Sequence, residues 1–190
     1  MENLADLSDA EIVKRSIKNP DYFLYIVKRY QDKIIRYIKR RTKVSNTASD
    51  DIAQEIFIKV YRNLNAYNPD MSFSSWVYRI AHNHIIDWYR KEKKREYISI
   101  DDTDNSVAFN LAGEEYADKN IMTDEIKNEL IEIINSLSQV YKDVITLRFF
   151  EEKSYEEISD ILHIPVNSVG VYVSRGKNII KQKLLDKKFI

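Results

Sequence analysis

Apolar residues recur at helical spacing along most of the chain, and the interruptions divide it into short amphipathic segments. Ser8-Asp9-Ala10-Glu11 has the form of a capping box, in which a serine and a glutamate three residues on satisfy each other's backbone N–H groups. It predicts a first helix through Ile12, Val13 and Ile17. Asn19-Pro20-Asp21 then interrupts, and Pro20 suits the first turn of a second helix with Phe23, Ile26, Val27, Tyr30, Ile34 and Ile38 on its apolar face. A third helix is predicted over Asp50 to Leu64, where Ile52, Ile56, Phe57, Val60, Tyr61 and Leu64 share one face. Its other face carries Asp51, Gln54, Glu55, Ile58 and Arg62. An outward Ile58 ringed by charge is either a lone exposed apolar residue or the centre of a docking patch.

After a turn at Asn68-Pro69-Asp70, a fourth helix places Phe73, Trp76, Val77, Ile80, Ala81, Ile85 and Trp88 in one core stripe. Tyr78, Arg79, His82, Asn83, Asp87, Tyr89 and Arg90 then face elsewhere, and four helices around one core complete a first domain. Periodicity is lost from 96 to about 122, where Asp, Asn, Ser and Thr accumulate, so that stretch reads as a linker. Helices are predicted again over Asp124 to Leu137 and Ser138 to Phe150.

Ser154-Tyr155-Glu156-Glu157 is a second capping box, followed by inward Ile158, Ile161 and Leu162, a short turn at His163-Ile164, and Pro165 opening another helix. Val169, Val173 and Ile180 would pack that helix on its predecessor, which is the layout of a helix-turn-helix. In such a motif the second helix enters the major groove and offers residues near its N-terminus to base edges. The candidates are Asn167, Ser168, Val171 and Tyr172, with Arg175, Lys177 and Lys181 nearer phosphates. An ordinary helical hairpin would share the pattern but would not call for a basic second helix.

Three Gly, three Pro and abundant Ile, Lys, Glu, Leu and Tyr in 190 residues agree with an all-α fold of two small helical domains. The expected boundaries are 1–95, a linker over 96–122, and 123–190. With no Cys, disulfides and thiolate metal sites are excluded. No signal pattern opens the chain and no apolar run approaches the ~20 residues that span a bilayer. A cytoplasmic location is therefore expected.

A net charge of zero conceals a strong division along the chain. Residues 79–95 carry six basic and two acidic groups, 166–190 six basic and one acidic, and 96–129 ten acidic and two basic. Two basic patches flanking an acidic stretch point to nucleic acid, which is bound through local patches. Tyr78, His82 and Tyr89, interleaved with the Arg90 to Arg95 run, would offer stacking surfaces for unpaired bases beside charges for the backbone. Catalysis is not expected. Glycines are too few for a phosphate loop, His82 and His84 point in different directions on one helix, and no carboxylate pairs with a nucleophile. Neither a cofactor nor a metal site is expected.

In their order and spacing these segments resemble bacterial sigma factors of the compact extracytoplasmic-function class, which keep the second and fourth conserved regions. The likeness covers roughly residues 8–95 and 123–185. DDIAQEIFIKVYRNL resembles the helix that docks on polymerase, FSSWVYRIAHNHIIDWYRKEKKR the segment that melts and reads the minus-ten element, and LSQVYKDVITLRFFEEKSYEEISDILHIPVNSVGVYVSRGKNII the domain that reads the minus-thirty-five element. The resemblance implies partners: core RNA polymerase, through the clamp helices of its largest subunit and its flap, promoter DNA, and an anti-sigma factor.

It also implies that Asp51, Gln54, Glu55, Ile58 and Arg62 bind polymerase. The loop Tyr67, Asn68, Asp70, Met71 and Ser72, with Asn83, would take a flipped non-template base. Arg79, His82, Tyr89, Arg90 and Lys93 would line the melted strand or the duplex beside it. Where relatives usually run Thr-Val-Lys-Ser-Arg, this chain has Ser168-Val169-Gly170-Val171-Tyr172, losing two basic side chains, and His163 stands where the turn usually has Gly. Weaker phosphate anchoring and an altered upstream preference follow from that departure. Two other readings remain open from the residues alone: a stand-alone helix-turn-helix regulator, and a helical adaptor binding acidic protein surfaces.

Overall fold

The computed structural model describes residues 7–42, 44–96 and 124–187, and the side chains of 93–96 and 124–127 are outside the description. Eight helices make up the described chain, and no strand occurs among those residues. They are α1 (Asp9–Lys18), α2 (Phe23–Arg41), α3 (Asn46–Arg62), α4 (Phe73–Glu96), α5 (Asp124–Asn135), α6 (Gln139–Phe149), α7 (Tyr155–Leu162) and α8 (Val166–Asp186). The expected linker falls almost wholly outside the described residues.

Local chemistry starts several of the helices. Ser8 Oγ accepts from Glu11 N at 3.3 Å while Glu11 Oε2 accepts from Ser8 N at 2.8 Å, the reciprocal cap that opens α1. Asn19 accepts from Asp21 N at 3.0 Å, and Pro20 leads through a short 3-10 turn into α2. Ser45 caps α3 at Ala48 N, 3.2 Å, so that helix begins four residues before the sequence pattern suggests. Asn68 Oδ1 accepts from Asp70 N at 3.1 Å, setting the turn that aims α4 across α2 and α3.

Ile26, Ile34, Ile38, Ile56, Val60, Val77, Ala81 and Ile85 interdigitate where these helices meet, all of them buried. Aromatic rings close one end: Tyr67 stands edge-on to Phe73 with centroids 5.2 Å apart, and Tyr30 meets Phe73 at 5.8 Å. The expected α4 stripe is correct at Phe73, Val77, Ala81 and Ile85, whereas Trp76, Ile80 and Trp88 are only half-buried.

In the second helical group α6 and α8 pack closely, and Gly176 is the point of approach. A Cβ there would lie 3.1 Å from Ile145 Cγ1. Ser154 Oγ accepts from Glu157 N at 3.1 Å and Glu157 Oε2 accepts from Ser154 N at 2.9 Å, the second expected capping box. α7 ends on His163 in the left-handed region (φ 56°, ψ 45°), the conformation its position in the turn requires. Ser159 Oγ donates to Ile164 O at 2.6 Å and fixes the angle at which α8 leaves.

Candidate nucleic-acid and polymerase interface

Three surfaces carry the residues singled out from sequence. On α3, Asp51, Gln54, Glu55, Ile58 and Arg62 are all exposed, with Ile58 49% accessible among charged neighbours. Glu55 Oε2 stands 3.3 Å from Nε2 of the buried His84 on α4, so this face is braced from behind.

The loop before α4 and the helix itself form the second surface. Tyr67 donates its hydroxyl to Met71 O at 2.7 Å and rests its ring on Trp76, which leaves Asn68 and Asp70 exposed at the loop tip with Met71 half-buried. Ser72 Oγ accepts from Ser75 N at 3.0 Å and so caps α4. Asn83 and Arg90 are exposed, Arg90 standing 3.8 Å from Asp87, and Tyr89 is half-buried beside Trp88. The Lys93 side chain lies outside the described residues.

Two expectations on α4 need correction. Tyr78 and His82 were expected to face a nucleic-acid strand, but both are buried, Tyr78 to 1% and His82 to 6% accessibility. The cause is tertiary: the second helical group lies on that side of α4. Tyr78 donates its hydroxyl to Glu151 Oε2 at 2.6 Å, and its ring packs on Tyr37 with centroids 5.3 Å apart. His82 Nδ1 is 2.9 Å from Tyr37 Oη, and its Nε2 lies 4.0 Å from Asp143. Burial, helped by the Arg41 charge, pushes the His82 imidazole down to about 3, so it is neutral at pH 7.

The contact between the two groups joins residues singled out from sequence, Ser72, Tyr78, Arg79, Glu157 and His163, to partners that no local pattern marks. Arg40 Nη1 donates to Glu151 Oε1 at 2.6 Å, and the buried Arg41 pairs with Asp143 of α6. Lys153 Nζ donates to Ser74 Oγ at 2.6 Å and sits 4.4 Å from the Tyr78 ring centre. Arg79 Nη2 donates to His163 Nδ1 at 2.8 Å, and Glu157 stands 3.4 and 3.5 Å from the hydroxyls of Ser72 and Ser75.

Burial pushes Glu151 above the usual carboxylate range, although Tyr78 and Arg40 oppose that shift by stabilising its charge. Burial likewise lowers the ammonium groups of Lys142 and Lys153. Charges held this way are costly unless each keeps its partner, so the contact is specific and easily upset. Its one sequence signal is Phe150-Glu151-Glu152-Lys153, a charged loop between two helices that lie opposite Arg40-Arg41. Glu152 turns that loop with a positive φ of 53°.

The third surface is the helix-turn-helix. Asn167, Val171, Arg175, Lys177 and Lys181 are exposed and Ser168 is half-buried. Tyr172 faces inward, meeting Tyr141 of α6 edge-on with centroids 5.9 Å apart, so it supports α8 from beneath and does not stand on the outward stripe. Among the described residues no group of three or more histidines and carboxylates is arranged to hold a metal ion. No described helix is long and apolar enough to cross a membrane.

Comparison with known proteins finds two family regions along the chain. Residues 26–95 match the family Sigma-70 region 2, and residues 127–180 match Sigma-70, region 4. SigW of Bacillus subtilis, an ECF RNA polymerase sigma factor, is 33% identical over 92% of this chain and 98% of its own length. The ECF RNA polymerase sigma-E factor of Haemophilus influenzae is 30% identical over 96% of this chain and 97% of its own. Among solved structures, CnrH in complex with the cytosolic domain of CnrY shares the fold with a TM-score of 0.67 at 19% identity, covering 94% of this chain and 97% of that one. The sigma factor RpoE of Bartonella quintana, in complex with the anti-sigma factor NepR, aligns with a TM-score of 0.63 at 16% identity over 85% and 96%.

Proposed function

The chain belongs to the sigma-70 family, in its extracytoplasmic-function class, and from that premise we propose how its surfaces divide the work of starting transcription. As a sigma factor it binds core RNA polymerase and directs initiation at specific promoters. The observation that carries the reading is the presence of both regions, in order, over residues 26–95 and 127–180 of one chain.

Asp51, Gln54, Glu55, Ile58 and Arg62 dock on the clamp helices of the polymerase, with Ile58 as the apolar anchor in a charged rim. The Asn68 to Ser72 loop and Asn83 receive a flipped base of the minus-ten element, and Arg79, Tyr89, Arg90 and Lys93 follow the melted strand. Asn167 and Val171 meet base edges of the minus-thirty-five element, while Arg175, Lys177 and Lys181 neutralise its phosphates. Binding energy offsets the unpairing of a few base pairs, and no covalent step is assigned to this chain. It works in the cytoplasm, where its polymerase is, and an anti-sigma factor holds it in reserve, a partner class found in complex with the solved neighbour RpoE of Bartonella quintana.

Promoter binding requires the two helical groups to part. With residues 1–95 and 123–190 as the two domains, the 27 residues of 96–122 reach up to ~90 Å at about 3.3 Å each. Two turns of DNA, the separation of the two elements, take about 70 Å. In the closed arrangement Arg79 donates to His163 and Ser72 to Glu157, so both contacts compete with DNA for these groups. The acidic tether, with seven acidic residues and one basic, then suits the basic channel of the polymerase.

The test is in vitro transcription with core polymerase on supercoiled genomic DNA, with and without the protein, mapping RNA starts by sequencing. New starts that share two motifs about two turns apart are expected. An absence of new starts, together with tight duplex binding by the protein alone, would overturn the proposal in favour of a stand-alone regulator.

A further inference from the structure

The outward stripe of α8 has few of the groups that usually read bases. Val166, Gly170 and Val171 follow at helical spacing and, with Tyr155 of α7, line a shallow slot of about 520 Å³ beside Asn167 and Arg175. Tyr155, Val166 and Val171 are 37%, 38% and 45% accessible, three apolar side chains left in water on one small area. The slot owes its floor to Gly170. Its φ is not positive, and a Cβ there would stand 3.5 Å from Tyr155 Cε2, an ordinary contact, so neither backbone nor packing requires glycine. Its effect is to leave the side of the Tyr155 ring nearest α8, at Cε2 and Cδ2, uncovered.

The rim is cationic. The Arg148 guanidinium lies 5.3 Å from the Tyr155 ring centre and Arg175 borders the slot. An apolar floor inside a basic rim, at the start of a helix that enters the major groove, suits duplex DNA better than a protein helix. The major-groove edge presents one apolar group, the C5-methyl of thymine.

We propose that this slot receives thymine methyl groups of the upstream promoter element, with Val171, Val166 and Tyr155 making the contact. Asn167 beside it supplies the paired donor and acceptor that match adenine, so the helix selects A·T steps by methyl contact and one amide. The proposal rests on the reading of α8 as the helix that meets the minus-thirty-five element. It also answers what replaces the basic side chains absent at Gly170 and Tyr172: apolar shape recognition at the first, and support of α8 against Tyr141 at the second.

The experiment uses promoter fragments recovered from the transcription assay, rebuilt with deoxyuridine for thymine in the upstream element alone, and measures their affinity for the holoenzyme. Each lost methyl that sits in the slot is expected to weaken binding about fourfold. Val171→Ser should abolish most of the preference for thymine over uracil. Gly170→Lys, which covers the ring, should also flatten that preference while steepening the dependence on salt.

Equal affinity for the thymine and uracil fragments overturns the proposal, as does an upstream motif without thymine. If those fragments bind equally and Val171→Ser instead weakens binding to core polymerase, the slot belongs to a protein contact. Failure of the unmodified fragments to initiate would point to the sigma reading itself, whereas initiation without a thymine preference sinks only the methyl contact.

Discussion

His82 shows how one side chain changes meaning with its surroundings. On a helix studded with arginines it reads as a strand contact, yet it is packed against Tyr37, Arg41 and Asp143. Its ordinary value is 6.5 and the fold lowers it to about 3, so between those limits the unfolded chain takes up a proton that the folded imidazole refuses. Stability therefore falls as pH drops below 6.5, by about 2 kcal/mol at pH 5 from this group at 1.36 kcal/mol per unit. Glu151, raised by burial, acts in the opposite sense and gains its proton more readily in the folded state. Denaturant midpoints at pH 7.5, 6 and 5 should consequently fall less steeply for His82→Gln than for the parent. Ile58 is the complementary case. It contributes little to the core at 49% exposure, so Ile58→Glu should leave the circular dichroism and melting temperature nearly unchanged. Its affinity for core polymerase, measured by fluorescence titration, should fall about tenfold or more.

Among the helices, α8 carries two glycines with opposite demands. Gly170 faces the open slot over Tyr155, so Gly170→Ala fits and should raise stability by up to about 1 kcal/mol through helix propensity. Gly176 lies against Ile145, where a Cβ would already come to 3.1 Å, and Gly176→Val should cost about 1–3 kcal/mol by overpacking the α6–α8 contact. Thermal melts of the two variants side by side would separate these effects, and equal shifts would refute the packing account. The sequence shows that α8 contains both residues, but only the position of α6 distinguishes them. Helix starts were legible because they are local. Ser8 and Ser154 each meet a glutamate three residues on, and both boxes form as the pattern says. Ser45 is not legible as the start of α3 because it has no such partner and caps only by accepting from Ala48 N.

For the molecule as a whole, the closed contact is the feature with the largest functional consequence. Glu151 accepts from Arg40 and Tyr78 at once, and Arg41 pairs with Asp143, so the loop after α6 holds the helix-turn-helix on α2 and α4. A cation in place of Glu151 would meet Arg40 at short range and leave Tyr78 without an acceptor. Glu151→Lys should thus open the molecule without melting its helices. Small-angle scattering should show the radius of gyration rising several Å above the ~16 Å of a compact chain of this length, with helicity preserved. Binding of single-stranded minus-ten oligonucleotides should strengthen as Ser72 and Arg79 are released. An unchanged radius would show that the contact does not depend on this loop.

The sequence by itself determined what depends on neighbours along the chain: the helices, their caps, the left-handed turn at His163, the exposed charged face of α3 and the order of the two regions. Those follow from hydrogen bonds three or four residues apart and from the period of apolar positions, which any reader of the chain can count. Only the tertiary structure decided which face of α4 is free, that Tyr78 and His82 lie inside, that Tyr172 supports α8 while Val171 faces outward, and that the two regions are clasped through Glu151. The physical reason is that aromatic and charged side chains serve equally well in a solvated patch or a partnered interior. Which role they take is set by residues up to 111 positions away, as between Arg40 and Glu151, and no local period encodes that distance.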